Sequence, residues 1–148
     1  MIEDALVIVP AFNEAVVIEE TLSELKNFAD KVVVVDDGSG DDTSARAKKM
    51  GAMVIRHSAN LGYGAALKSG FAYALRYSNQ PYFLAFDADG QHDPNFLNSL
   101  LEPLRKGEAD YVIGSRFLES GANSAPPARK IGSKIFSIAT SVLIGQKI

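Results

Sequence analysis

Apolar runs and helical stripes alternate along the chain. Ala5-Leu6-Val7-Ile8-Val9 is an unbroken apolar run of strand length, and Val32-Val33-Val34-Val35 is β-branched throughout, so both predict strands. Between them Ile18, Leu22, Leu25 and Ala29 recur at helical spacing. Asp41 and Asp42 before Thr43 predict the capped start of a short helix that stops at Gly51. Met53-Val54-Ile55 predicts a third strand. A helix is predicted over 64–77, with Leu67, Phe71, Ala74 and Leu75 on its apolar face. Tyr82-Phe83-Leu84-Ala85-Phe86 predicts a fourth, buried strand. Asp93-Pro94 then reads as an N-cap with proline at the first helical position, ahead of a stripe of Leu97, Leu100, Leu101 and Leu104. Tyr111-Val112-Ile113-Gly114 predicts a fifth strand. Residues 119–127 read as a loop, and Ile131, Ile135, Ile138 and Val142 predict a last helix over 128–144.

Strands alternating with helices predict an α/β fold with a mainly parallel sheet and right-handed crossovers. The uniformly apolar strands predict helices on both faces of that sheet. At 148 residues, 47% hydrophobic and 22% charged, the chain has enough material for one domain with its own core. Its net charge of −3 gives no support to a nucleic-acid surface. With no cysteine there is neither a disulfide framework nor a thiolate site. The acidic start, Met1-Ile2-Glu3-Asp4, and Pro10 argue against a secretory signal, and no apolar run reaches the length of a membrane span.

Chemistry concentrates in the loops after the predicted strands. Pro10-Ala11-Phe12-Asn13-Glu14 follows the first, Asp36-Asp37-Gly38-Ser39 the second, and Asn60-Leu61-Gly62-Tyr63-Gly64 the third. Asp87-Ala88-Asp89-Gly90-Gln91-His92 follows the fourth and Gly114-Ser115-Arg116 the fifth. In a parallel sheet these loops share one edge, where ligands of open α/β sheets bind. One cleft is therefore expected to collect Glu14, Asp37, Asp87, Asp89 and Arg116. Two carboxylates with the amide oxygen of Gln91 make a hard-oxygen site suited to Mg²⁺ or Mn²⁺, which commonly also holds substrate phosphates.

Each piece also has a plainer reading. Asp87 and Asp89 also suit a helix cap, Asp37-Gly38-Ser39 a turn, and Asn13 or Glu14 a helix start. Gly62-Tyr63-Gly64 follows the third strand and lacks the setting of a dinucleotide fingerprint. Tyr63 and Tyr73 read as packing groups, and His92 as a capping or solvent-facing residue. Arg116 is hardest to dismiss, because an arginine directly after a buried strand needs an anionic partner.

Taken together, the motifs Pro10-to-Glu14, Asp36-to-Ser39 with Asp42-Thr43, Asn60-to-Gly64, Asp87-to-Asp89 with Gln91-His92, and Gly114-to-Arg116 resemble those of family 2 glycosyltransferases. Within that family the chain looks most like polyprenyl-phosphate sugar transferases such as dolichol-phosphate mannose synthase. The resemblance runs over nearly the whole chain, in order. It implies a Rossmann-like GT-A fold and an inverting, metal-dependent transfer of a hexose from a GDP- or UDP-sugar. The acceptor implied is a polyprenyl (dolichyl or undecaprenyl) phosphate.

Residue by residue, the resemblance implies that Pro10, Phe12, Glu14, Val35 and Asp37 line the nucleotide pocket, with Asp37 reading the base. Phe12 stands where the family often has tyrosine. Asp87 and Ala88 would lie against the nucleotide sugar, with Asp87 also near the metal. Asp89 and Gln91 would hold Mg²⁺ or Mn²⁺ on the diphosphate, and Arg116 would contact diphosphate or acceptor phosphate. Arg129 and Ser133 match the positions that grip the lipid phosphate. Family members continue beyond the last helix seen here, so residues 1–148 are expected to be the nucleotide-binding part of one catalytic domain, cut short at its C-terminal side.

A polyprenyl phosphate is already an anion and needs no strong base to attack, whereas a saccharide acceptor would need one. The helix over 128–144, with Arg129, Lys130 and Lys134 near its start, fits either a membrane surface or a core-packed position. The protein is expected in the cytoplasm, at the cytoplasmic face of a membrane. Three other readings are weighed. A non-catalytic nucleotide-sugar binding module keeps the pocket without turnover. A pyrophosphorylase requires a glycine-rich basic loop after the first strand, where this chain has Ala11-Phe12-Asn13-Glu14. A dinucleotide-binding domain requires a fingerprint this chain lacks there.

Overall fold

The computed structural model describes residues 1–90 and 93–114. Met1–Val112 forms one compact unit; of a second, Ile113–Ile148, only residues 113 and 114 are described. The readings made above for Gln91, His92, Arg116, Arg129, Ser133 and the helix over 128–144 therefore lie outside the described residues.

The described sheet has four parallel strands: β1 (Ile2–Ala11), β2 (Ala29–Asp36), β3 (Met53–Arg56) and β4 (Tyr82–Ala85), in the order β3-β2-β1-β4. The helices between them are α1 (Ile18–Leu25), α2 (Thr43–Lys49) and α3 (Tyr63–Tyr77). A 3₁₀ turn at Pro94–Phe96 leads into α4 (Leu97–Arg105). The chain steps outward from β1 through β2 to β3, then crosses back by α3 to lay β4 on the other side of β1. The strand order reverses between β1 and β4, and such reversals open a crevice at the carboxyl edge.

Period-two alternation of the strands explains why their sequences are apolar throughout. Ala5, Val7, Val9 and Ala11 of β1, with Val34 of β2 and Leu84 of β4, pack against Ile18, Leu22 and Leu25 of α1, Ala47 of α2, and Leu97 and Leu101 of α4. Leu6 and Ile8 of β1, with Val33 and Val35 of β2, face the other way, onto Ala66, Leu67, Phe71 and Ala74 of α3. Both faces are covered, as the uniformly apolar strands predict. Gly70 lets α3 press close to the sheet: a Cβ there would fall 2.3 Å from Ile8 Cγ2 and 3.3 Å from Val35 Cγ2.

Four details differ from the sequence reading. Ala29 opens β2 instead of extending the stripe of α1, because the helix ends at Leu25 and the Phe28 carbonyl already pairs with the Ile2 amide. Leu75 is exposed; the face of α3 that meets the sheet runs through Ala66, Gly70 and Ala74. Tyr111–Gly114 is not a strand, since it joins no ladder of the described sheet, and the Tyr111 side chain is exposed. Asp42 occupies the N-cap position of α2 without a side-chain cap bond; Asp41 caps the Thr43 amide instead, at 3.0 Å. Asp93 does cap its turn, accepting the Asn95 amide at 2.9 Å ahead of Pro94.

No helix among the described residues is long and apolar enough to cross a membrane.

Candidate functional site

The loops that follow the strands leave the sheet as continuations of its ladders. The Asp37 amide donates to the Ala11 carbonyl at 2.8 Å, His57 to Asp36 at 2.9 Å and Phe86 to Ile8 at 2.9 Å. Just beyond these bonds the backbones diverge, and a cavity of about 400 Å³ opens among them. Its walls include Pro10, Phe12, Glu14, Asp37, Asp87, Ala88 and Asp89 from the expected set, and Asn60, Gly62 and Tyr63 besides. Val35 is fully buried one layer below, under α3, and does not line the cavity.

A larger cavity, about 580 Å³, lies at the amino edge of the sheet, among Lys26, Lys31, Lys48, Met53 and Tyr77. Among the described residues Asp30 is the only carboxylate in its walls, and none of those lining it comes from the loops after the strands. The smaller cavity is the functional candidate because the acids converge there, at the topological switch point.

The loop after β1 is held to the loop after β2 by a set of side-chain bonds. The Asn13 amide donates to Ser39 Oγ at 2.9 Å, and Asn13 Oδ1 accepts the Gly40 amide at 2.8 Å. The Glu14 amide donates to Thr43 Oγ1 at 2.9 Å and the Ala15 amide to Asp41 Oδ2 at 3.1 Å. Asn13 takes a left-handed φ of 57°, which asparagine tolerates better than most residues. The Glu14 carbonyl starts α1, accepting the Val17 and Ile18 amides. Its carboxyl is thereby left to face the cavity. Burial, and then the negative charges of Asp89 and Asp41, push that carboxyl above its ordinary pKa.

Asp36 and Asp37 are neighbours with different tasks. Asp36 is fully buried and structural: it accepts the Ser39 amide at 2.8 Å and the Ser44 hydroxyl, and lies 3.6 Å from Arg56 Nε. Asp37 borders the cavity. Its Oδ1 accepts from the Leu61 amide at 3.0 Å and from His57 Nδ1 at 2.7 Å, while its Oδ2 accepts the Gly62 amide at 2.7 Å. Burial alone would raise its pKa. The bonds from Leu61, His57 and Gly62 outweigh burial and hold it below the ordinary value. His57 is wedged in place from behind by Ser69 of α3, 2.8 Å from Nε2. Gly38 makes the close turn between the two loops. Its φ is +75°, and a Cβ there would meet the Ala59 carbonyl carbon at 2.4 Å.

Asp87 and Asp89 leave β4 on a short loop whose middle carbonyl, that of Ala88, accepts the buried Thr21 hydroxyl of α1 at 3.1 Å. Asp87 Oδ1 accepts the Tyr63 hydroxyl at 2.9 Å. Burial and the Asp87 bond push that phenol up to about 12. Tyr63 is thus a cavity residue with an exposed ring, where the sequence places a packing group. Among the described residues no three His, Asp or Glu side chains are disposed to hold a metal ion alone. A pair of carboxylates is nonetheless a fitting donor set for Mg²⁺ or Mn²⁺ when phosphates and water complete the shell. The crowding of Glu14 against Asp89 is the kind of charge a cation relieves.

Sequence reasoning passed over His57, Ser69 and Thr21. A lone histidine, serine or threonine carries no signal in one sequence. That the loops carrying Asp37, His57 and Gly62 meet was legible only from the parallel sheet, whose post-strand loops share one edge.

Comparison with known proteins agrees with this geometry. Residues 6–147 match the family described as Glycosyl transferase family 2. An uncharacterised protein of Methanocaldococcus jannaschii is 41% identical over 145 residues, covering 97% of this chain and 59% of its own length. Dolichol-phosphate mannosyltransferase of Pyrococcus furiosus is 34% identical over 137 residues, covering 86% of this chain and 38% of its own. The crystal structure of glucosyl-3-phosphoglycerate synthase from Mycobacterium tuberculosis in complex with Mn²⁺ and uridine-diphosphate-glucose superposes with a TM-score of 0.59 at 30% identity. It covers 70% of this chain and 40% of that one. The chain thus spans about six-tenths or less of the length of these proteins.

Proposed function

This chain belongs to glycosyl transferase family 2, and we propose from that membership that its carboxylate-lined cavity binds a nucleotide diphosphate sugar and gives up the sugar to a polyprenyl phosphate. The convergence of Glu14, Asp37, Asp87 and Asp89 on one cavity of about 400 Å³ carries this reading. A nucleotide sugar needs what those walls offer: an aromatic and glycine-lined pocket for the nucleoside and acids for a cation on the diphosphate.

In this reading Pro10, Phe12, Glu14 and Asp37 take the nucleoside, and Phe12, partly exposed, supplies a ring for stacking. Ala88 and Asp87 lie against the sugar. Asp89 and Asp87, with Gln91, hold Mg²⁺ or Mn²⁺. The bound ion supplies neutralising charge to the diphosphate as it leaves. Arg116, Arg129 and Ser133 orient the acceptor phosphate by charge-assisted hydrogen bonds. An acceptor phosphate oxygen attacks the anomeric carbon from the face opposite the diphosphate. The new C1–O bond forms as the old one breaks, the configuration inverts, and the nucleoside diphosphate departs with the bonding electrons. The acceptor is already anionic, so no residue is asked to take a proton from it. A lipid-phosphate acceptor would be met at a membrane surface, and the reading takes that surface to be the cytoplasmic face.

The test is transfer of labelled sugar from UDP- and GDP-hexoses to a polyprenyl phosphate by the full-length protein and its Asp89→Ala variant. Asp89→Ala is expected to abolish product while leaving circular dichroism unchanged. Product at the native rate from that variant would remove the metal assignment. Transfer to a saccharide and not to the lipid phosphate would replace the acceptor.

A further inference from the structure

We infer that the donor's base is uracil and not guanine, and that His57 is a positioning residue that enforces this choice through Asp37. The inference rests on the donor reading above and deepens it.

A carboxylate has about four acceptor positions, two on each oxygen. In Asp37 the protein's own donors occupy three: Leu61 N–H and His57 Nδ1 on Oδ1, and Gly62 N–H on Oδ2. An ionised carboxylate accepts only, so the proton between Asp37 and His57 sits on Nδ1. The carboxylate is almost closed off, with 5% of its side chain exposed, yet it borders the cavity. Counting donors among the described residues, one acceptor position is therefore left for a ligand, on Oδ2.

Guanine presents two adjacent donors, N1–H and the exocyclic amine, and a carboxylate reads that pair with both oxygens at once. Here Oδ1 is filled, so a guanine would leave one of the two donors buried and unpaired. That is the situation in which a hydrogen-bonding site discriminates most strongly. Uracil presents a single N3–H between two carbonyls, which matches a single free acceptor position.

His57 makes this state of Asp37 durable. Its ring bridges Asp37 at 2.7 Å and Ser69 of α3 at 2.8 Å, and its side chain is 10% exposed. Leu61 and Gly62 are backbone donors that no substitution of their own side chains removes. Among the described residues His57 is thus the one side chain whose replacement returns an acceptor position on Oδ1.

Calorimetric titration of the full-length protein with UDP and with GDP, each in Mn²⁺, tests the inference. UDP is expected to bind roughly tenfold or more tightly. GDP binding as tightly as UDP, or tighter, would overturn the base assignment while leaving the donor reading standing. Binding of neither would overturn the donor reading and the base assignment with it. In His57→Leu the UDP preference is expected to shrink several-fold. In His57→Asn, whose side-chain amide can take the place of Nδ1–H, it is expected to persist. An undiminished preference in a folded His57→Leu would remove His57 from the account. If that variant does not fold, His57→Asn decides: loss of the preference there, with the fold retained, overturns the role given to Nδ1–H.

Discussion

Thr21, in the first helix, donates its hydroxyl to the carbonyl of Ala88, 67 residues later in the chain, at 3.1 Å. Ala88 sits between the two acids that the donor reading places on the cation. Both partners are buried, so the bond is shielded from competing water. Thr21→Val keeps the shape of the side chain and removes the donor, which strands the Ala88 carbonyl. A loss of about 1–2 kcal/mol in stability is expected, read by urea unfolding. Turnover is expected to fall by more than the unfolded fraction accounts for, because the loop carrying Asp87 and Asp89 loses its anchor. Unchanged kcat/KM in the folded variant would show that the loop holds its geometry without Thr21.

Tyr63 and Asp87 make a second such link, and it lies at the surface. The ring is exposed, so Tyr63→Phe costs little packing and is expected to leave the unfolding midpoint nearly unchanged. It removes one hydrogen bond to a charged group, 2.9 Å long. Steady-state kinetics are expected to show a drop in kcat/KM of roughly threefold to thirtyfold, corresponding to about 0.5–2 kcal/mol. A larger loss of stability than of activity would make Tyr63 a packing residue after all.

The backbone plan of this unit is open to a reader of the sequence because its strands are buried on both faces. Val32–Val35 and Ala5–Val9 are apolar without interruption, and the two helices that follow them show a clear stripe or a clear cap. The four acids of the cavity were also legible, since each follows a strand and all strands run the same way. What stayed hidden depends on distance in space. Leu75 reads as a core residue because it lies one step from Ala74, while the real contact line runs through a glycine that periodicity counts as neutral. Tyr111–Gly114 is too short a run to tell strand from loop by pattern. His57, Ser69 and Thr21 acquire meaning only from partners 20, 12 and 67 residues away.

Gly70 is where the packing of α3 can be tested. Ala has higher helix propensity than Gly by about 1 kcal/mol, so on local grounds Gly70→Ala would stabilise. The sheet overrules this, since the new methyl would lie 2.3 Å from Ile8 Cγ2. Ile8 is fully buried in an inner strand of the sheet, packed between its neighbours. Overpacking of that kind costs about 1–3 kcal/mol, so a net loss of stability is expected in urea unfolding. A net gain would mean that α3 can lift off the sheet at no cost.

The bonds that hold Asp37 also predict how the fold responds to acid. Its pKa in the folded chain lies below the ordinary 3.8, because the donors from Leu61, His57 and Gly62 outweigh burial. The unfolded chain therefore binds a proton at Asp37 before the folded chain does. The stability this carboxylate contributes is fully present above the unfolded value and is lost as pH falls through 3.8 towards the folded value. Asp37→Asn lacks this term, and turns an amide N–H towards a backbone donor as well. It is expected to be about 1–3 kcal/mol less stable than the native chain at pH 7. That gap is expected to narrow below about pH 4, where Asp37 of the unfolded native-sequence chain begins to take up a proton that the folded chain still refuses. Urea unfolding of both proteins at pH 7 and pH 3.5 makes the comparison. A gap that stays constant between the two pH values would mean that the charge on Asp37 contributes nothing to holding Leu61 and Gly62 against the cavity.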